Sequence, residues 1–243
     1  MNPILYTAAG SANKAILSQD VRANNMANSN TTGFKAILER STPVFRSGDG
    51  FTTSTSSRSN STGIDFSAGE LTRTGRKLDI AINGSGFFAV LDADGNESYT
   101  RSGNVITSAD GLLTINGRAL LDVNGQPILL PNYQELNISD KGTVSVIPNG
   151  GGASVTVAEV KLVNPDIKAL TLNKNGTFNS NGPLEADETV MMASGYLESS
   201  NVSSIAEMMA VMMSTRQYEI QVKMMTAADK LVSSGNQLVS ARG

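Results

Sequence analysis

Ala23-Asn24-Asn25-Met26-Ala27-Asn28-Ser29-Asn30-Thr31-Thr32-Gly33-Phe34-Lys35 is the stretch on which the reading of this chain turns. It places four Asn, two Thr and one Gly directly after an amphipathic segment. Asn and Gly tolerate the left-handed backbone conformation that ends helices, so the composition predicts a helix terminus and a change of direction. Upstream, apolar residues fall at alternating steps of four and three, at Leu5, Ala9, Ala12, Ile16, Ala23 and Met26, with Gln19 the polar exception. That spacing is a heptad seam, not the period-two alternation of a strand. The seam is rich in Ala and buries little surface. At about 0.8 kcal/mol per buried CH₂, against about 1–2 kcal/mol per residue to fix the backbone, such a helix needs a partner.

A partner is legible at the other end of the chain. Ser203 or Ser204 can cap a first turn, and Glu207 stands three residues after Ser204 as in a capping box. Apolar residues then recur at Met208, Val211, Tyr218, Val222, Met225 and Val232, with Thr215 in the same row. A second row runs through Met213, Ile220, Met224, Ala227, Leu231 and Leu238. Two rows on one helix imply more than one neighbour. Six of the ten Met lie between 208 and 225, and the flexible thioether suits imperfect surfaces such as those between repeated subunits.

The texture between the helices differs. Residues 52–62 are hydroxyl-rich without an apolar side chain, and are expected to form either an unstructured linker or an extended arm ordered against neighbouring chains. From Leu71 onward, short apolar runs at 78–82, 86–91, 105–107, 112–115, 118–121, 128–130, 143–147, 154–158, 160–163, 170–172 and 177–178 alternate with Asp94-Gly95, Asp110-Gly111, Asn116-Gly117 and Asn124-Gly125. Such dipeptides are strong hairpin signals and imply antiparallel strands. The expected fold class is α+β: an all-β antiparallel central domain inserted between N- and C-terminal helices that pair as a coiled-coil-like discontinuous domain. The expected divisions are 1–35 with 195–243 for the helical domain, 36–69 for the arm or linker, and 70–194 for the β-rich domain.

Composition narrows the chemistry. The 243 residues include no Cys and no His, which removes disulfides, thiolates and the side chain most used for proton transfer near neutral pH. A formal charge of −3 gives no general attraction to nucleic acid. No apolar run approaches a membrane span, and the start of the chain lacks a signal-peptide core, so neither membrane insertion nor a cleaved signal is expected. Gly84-Ser85-Gly86-Phe87-Phe88-Ala89 fits a dinucleotide fingerprint but leads into a strand rather than a helix, and is read as a turn. Asp92-Ala93-Asp94-Gly95-Asn96-Glu97 has calcium-like residue types in the wrong spacing and is read as a hairpin turn. No catalytic constellation, cofactor or metal is expected.

Several motifs together carry a resemblance. The segment Ala23-Asn24-Asn25-Met26-Ala27-Asn28 followed by Thr32-Gly33-Phe34-Lys35 resembles the A-N-N-[LM]-A-N…T-x-G-[FY]-[KR] signature of flagellar axial proteins. Gly195-Tyr196-Leu197-Glu198-Ser199-Ser200-Asn201-Val202 is similar to the L-E-x-S-N-V before their C-terminal helix, and Arg216-Gln217-Tyr218-Glu219 to the R-x-[FY]-E within it. Leu78-Asp79-Ile80-Ala81-Ile82, Gly84-Ser85-Gly86-Phe87-Phe88 and Tyr99-Thr100-Arg101-Ser102-Gly103 resemble the β-domain shared by rod and hook proteins. The length leaves the two mid-sized rod proteins, and the opening Ile4-Leu5-Tyr6-Thr7-Ala8-Ala9-Gly10, the short arm and the tail Tyr218-Glu219-Ile220-Gln221-Val222-Lys223-Met224-Met225 are more similar to proximal-rod than to distal-rod members.

The resemblance implies a non-enzymatic subunit of the basal-body rod that polymerises through its terminal helices into the torque-transmitting shaft. Implied partners are other rod proteins, copies of itself and the flagellar type III export apparatus, with export lacking a cleaved signal and the rod crossing the periplasm. The implied subunit interface is Leu5, Ala9, Ala12 and Ile16 with Met208, Val211, Met212, Arg216, Tyr218, Glu219, Val222 and Met225. The alternatives are a distal-rod protein of the same family and a secreted β-rich adhesin-like binding module.

Overall fold

Both heptad segments are helical. The computed structural model describes residues 3–45, 55–173 and 175–240. Helix α1 (Pro3–Ala27) begins on a proline, which is tolerated in a first turn because its missing N–H has no helical partner there. Helix α2 (Ser204–Ser240) is capped by Ser203, whose Oγ accepts from the Ala206 N–H at 3.5 Å. The chain divides into two units: residues 1–29, 36–65 and 202–243 form one, and 30–35 with 66–201 the other.

In the helical unit α1 packs on α2. The face of α1 that this pairing buries carries Ala8, Ala12 and Ala15, so it is rotated by one residue from the expected row at Leu5, Ala9, Ala12 and Ile16. Ala9, Ile16 and Ala23 are exposed. Small side chains let two helices approach closely, and Ile16 and Leu17 are too large for so narrow a seam. On α2 the facing row is the expected one in part. Val211, Thr215, Val222 and Met225 are half-buried and Ala228 is buried, whereas Met208 and Met212 stay exposed.

The segment expected as an unstructured or neighbour-ordered arm contains a hairpin. Strands β1 (Ile37–Phe45) and β2 (Thr55–Ile64) pair antiparallel from Ile37↔Ile64 to Phe45↔Thr55, with a register shift between Arg40 and Ser41. Of the hydroxyl-rich stretch, 55–62 is strand and 52–54 lies outside the described residues. Ladder hydrogen bonds to β1 satisfy its backbone, a contribution that side-chain hydrophobicity does not report. The helical unit therefore takes in 36–65, while 30–35 and 195–201 fold with the β-rich unit.

The β-rich unit holds β3 (Leu71–Arg73), β4 (Ile80–Asn83), β5 (Phe87–Leu91), β6 (Glu97–Thr100), β7 (Val105–Thr107), β8 (Leu113–Ile115), β9 (Arg118–Ala119), β10 (Tyr133–Ile138), β11 (Thr143–Pro148), β12 (Val155–Glu159), β13 (Leu162–Val163), β14 (Thr171–Leu172), β15 (Phe178–Asn179), β16 (Met191–Ser194) and β17 (Tyr196–Glu198). All their pairings are antiparallel. The largest sheet has the order β13-β5-β6-β15-β14, with small sheets β10-β11-β12, β7-β8-β9, β16-β4 and β17-β3 beside it. Asn116 and Gly117 join β8 to β9 with φ of 50° and 79°, the two left-handed residues of a tight hairpin.

One continuous aliphatic core runs through Ile80, Ile82, Val90, Val105, Leu113, Ile115, Leu120, Leu136, Val144, Val160 and Met192, with Phe88 its one buried phenylalanine. A separate aromatic cluster joins Phe66, Phe87 and Phe178, with ring centroids 5.4–6.0 Å apart. The run at 128–130 forms isolated contacts such as Leu112↔Leu129 rather than a strand. Strands β3, β6, β10, β16 and β17 lie outside the runs that spacing marks as strands, because Thr, Arg, Glu, Gln, Asn and Ser break their apolar pattern.

Candidate assembly surface and its motif anchors

The Asn-rich stretch divides its work between the two units. At the end of α1, the Asn28 backbone N–H and Nδ2 both donate to Asn24 O, at 3.2 and 3.0 Å, and Ser29 Oγ donates to Met26 O at 2.9 Å. These bonds satisfy the orphaned carbonyls of the last turn. Asn25 has a different role. It is fully buried; its Oδ1 accepts from the Ile37 N–H at 2.8 Å, and its Nδ2 donates to Ile37 O at 2.9 Å and to Glu207 Oε1 at 3.3 Å. Glu207, the expected capping-box acid, turns its carboxylate toward α1, where Arg22 donates to both oxygens at 3.2 and 3.3 Å. Ala23, Asn24 and Ala27 are exposed, and Met26 is half-buried.

The remainder of the stretch belongs to the β-rich unit. Gly33 has φ of +69°, and its N–H donates to Glu198 O at 2.8 Å. Thr32 Oγ1 lies 3.2 Å from Ser102 Oγ, and the Asn201 N–H donates to Phe34 O at 3.4 Å. Phe34 itself is half-buried. Lys35 is buried and donates to Glu198 Oε1 at 2.6 Å and to Ser67 O at 2.7 Å. The same carboxylate oxygen accepts from the Gly69 N–H at 2.9 Å. Arg101 Nε lies 2.9 Å from the other oxygen, near enough for charge pairing although not aligned as a hydrogen bond. Its terminal nitrogens donate to Gly86 O at 2.8 Å and Gly84 O at 2.6 Å. Burial pushes the Arg101 guanidinium below its usual value, and Glu198 opposes that shift. The side chains of Lys35 and Glu198 are each 1% exposed and that of Arg101 4%, so the cluster is excluded from solvent.

Glycines 84 and 86, part of the apparent dinucleotide fingerprint, thus supply carbonyls to Arg101, and the chain continues into β5. The calcium-like segment is the β5–β6 turn. In it Asp92 accepts from its neighbour Ala93 N–H at 2.9 Å and from Asn173 at 3.0 Å, and pairs with Arg118 at 3.4 Å.

The surface offered by the helices is apolar. On α2, Met208, Met209, Met212, Met213, Ile220, Met224 and Leu231 are exposed, with Met213 at 68% and Leu231 at 73%. Met213, Ile220, Met224 and Leu231 belong to the second row expected from the spacing, and Ala227 of that row is exposed as well; Leu238 lies outside the residues whose side chains are described. Arg216, Tyr218 and Glu219 are exposed beside them, and on α1 Tyr6, Ile16 and Leu17 are exposed while Leu5 is half-buried. Of the interface set, Ala12 is buried and Val211, Val222 and Met225 are half-buried within the chain, while Ala9, Ile16, Met208, Met212, Arg216, Tyr218 and Glu219 face outward. Contiguous apolar exposure on this scale marks surfaces that meet other molecules. No helix is long and apolar enough to cross a membrane among the described residues.

Three family descriptions match the chain: the flagella basal body rod protein at residues 5–35, the flagellar hook protein FlgE/F/G D1 domain at 81–146, and the flagellar basal body rod FlgEFG protein C-terminal at 193–238. The flagellar basal-body rod protein FlgF of Escherichia coli K12 is 36% identical, with 99% of each chain covered. The chain belongs to the flagellar basal-body rod protein family. FlgF of Salmonella typhimurium LT2 is 35% identical over 99% of both chains, and FlgG of Buchnera aphidicola subsp. Baizongia pistaciae 31% over 96% of this chain and 98% of its own.

Within this rod-family chain, three segments quoted for their resemblance, at 32–35, 99–103 and 195–202, meet at one carboxylate. Sequence reading missed Glu198 as the shared partner of Lys35 and Arg101, and missed Arg22 as the partner of Glu207. The available signal was charge inside motifs that otherwise fold into buried strand ends, since buried charges must be paired.

Proposed function

We propose that this chain is a structural subunit of the bacterial flagellar basal-body rod, of the proximal, FlgF-like type. It polymerises through its terminal helices with other rod proteins and with copies of itself, forming part of the torque-transmitting shaft that crosses the periplasm. Delivery is by the flagellar type III export apparatus, and the chain carries no catalytic role. The observation that carries this reading is the exposed apolar row of α2 through Met209, Met213, Ile220, Met224 and Leu231. Burying a Met or Leu side chain is worth about 1.5–3 kcal/mol, so a row of this length supplies a strong drive to associate. Resistance to torque then comes from many such helix contacts repeated along the shaft.

Met213→Asp tests it. The side chain is exposed, so the folded chain is expected to keep its stability within about 0.5 kcal/mol. A carboxylate buried between subunits is costly, so incorporation into isolated basal bodies and swimming motility are expected to be lost. Met212→Asp, on the neighbouring flank, is expected to do the same. Normal incorporation and motility of both variants would overturn the assignment of this surface. Imaging labelled chain in isolated basal bodies distinguishes a proximal from a distal position along the shaft.

A further inference from the structure

The Asn25 side chain does for β1 what a neighbouring strand would do. In an antiparallel ladder the N–H and C=O of one residue point to the same edge, and those of the next residue to the other. Ala36 O accepts from the Asp65 N–H at 2.8 Å, on the side of the hairpin partner. Ile37 presents both its groups to the opposite edge, and the Asn25 amide meets both, at 2.8 and 2.9 Å. An amide has two N–H donors, and the second goes to Glu207 in the first turn of α2. The amide orientation is dictated by its partners, because Ile37 N–H needs an acceptor and a carboxylate needs a donor. Glu207 is held in turn by Arg22, one helical turn before Asn25 on α1.

We infer that Asn25 and Glu207 form a latch that makes order in the β1–β2 hairpin conditional on docking of the first turn of α2 against α1. The carboxylate fixes the amide, and the fixed amide pins the first residue of β1. Among the described residues the Glu207 carboxylate bonds to Arg22 and Asn25, and its influence on the hairpin passes through Asn25. The inference does not depend on the rod assignment, since it concerns contacts within a single chain.

Amide hydrogen exchange on the full chain tests the latch, comparing wild type with Asn25→Ala, Glu207→Ala and Glu207→Gln. Glu207→Ala is expected to speed exchange of the β1 and β2 amides about tenfold, the size expected for losing one hydrogen bond to a charged group, and Asn25→Ala, which also removes both bonds to Ile37, at least as much. Glu207→Gln keeps an oxygen that accepts from Asn25 and is expected to hold hairpin exchange within about twofold of wild type. Amides of β4 and β5 in the other unit serve as the folding control. Hairpin protection that survives Glu207→Ala overturns the latch, as does loss in Glu207→Gln equal to that in Glu207→Ala. If α1 and α2 exchange freely in the wild-type chain, the latch requires the hairpin to exchange freely too, and a protected hairpin there also overturns it.

Discussion

Glu198→Ala is expected to destabilise the β-rich unit by about 3–5 kcal/mol, the range for breaking a buried ion pair by removing one partner. Glu198 contacts both Lys35 and Arg101, and all three side chains are nearly inaccessible to water. Truncation leaves two buried cations facing each other's field, together with a Gly69 N–H that loses its acceptor. The remaining carbonyl partners at Ser67, Gly84 and Gly86 soften this without neutralising it. Urea unfolding followed by the strand signal of the full chain measures the effect. A loss below about 1 kcal/mol would show that water or rearrangement restores both cations, and would remove Glu198 as the organising charge. Glu198→Gln is expected to lie between, because an amide oxygen still serves Lys35 and Gly69 but carries no charge.

Gly33→Ala is expected to be about as severe. At φ of +69° a Cβ is strained in itself, and here it meets Ser102 N at 2.3 Å and Arg101 C at 2.4 Å, both backbone atoms. Backbone cannot rotate away as a side-chain tip can, so either Gly33 leaves its left-handed conformation or the segment at 101–102 moves. The first option breaks the Gly33 N–H bond to Glu198 O, and the second drags Arg101 from its carboxylate. Strain of about 1–3 kcal/mol and overpacking of a similar size add to about 2–6 kcal/mol. Glu198→Ala keeps the backbone carbonyl of the first route but removes the carboxylate of the second, so the double variant loses less than the sum of the single losses where the 101–102 segment moves, and the full sum where Gly33 moves. Equal unfolding midpoints for Gly33→Ala and wild type would overturn the argument.

The two results bear on how a rod-family subunit is built. The signature that ends α1 is not one structural element. Its first half, through Asn25, belongs to the helix pair and the start of β1; its second half, through Gly33 and Lys35, belongs to the β-rich unit. Each half is fastened to a residue on the approach to, or in the first turn of, the C-terminal helix: Glu198 for one and Glu207 for the other. A chain with distant ends thereby brings both ends together through contacts of its own.

Spacing by itself determined that the two ends are helices and that a block of antiparallel strands lies between them. Heptad steps and Asn-Gly turns are local properties, written wherever backbone geometry alone restricts the choice of residue. The exposed row of α2 was legible for the same reason, as a second apolar stripe that one partner helix does not cover. Tertiary structure decided the rest. Which face of α1 turns inward depends on how closely two helix axes approach, and Ala8, Ala12 and Ala15 won over Leu5, Ala9 and Ile16 because small residues permit the closer packing. The hydroxyl-rich strand β2 depends on a ladder whose bonds come from backbone, which composition does not register. Lys35, Arg101 and Glu198 are scattered across most of the chain, and only folding brings both cations within 3 Å of the Glu198 carboxylate, where exclusion of water forces the charges to pair.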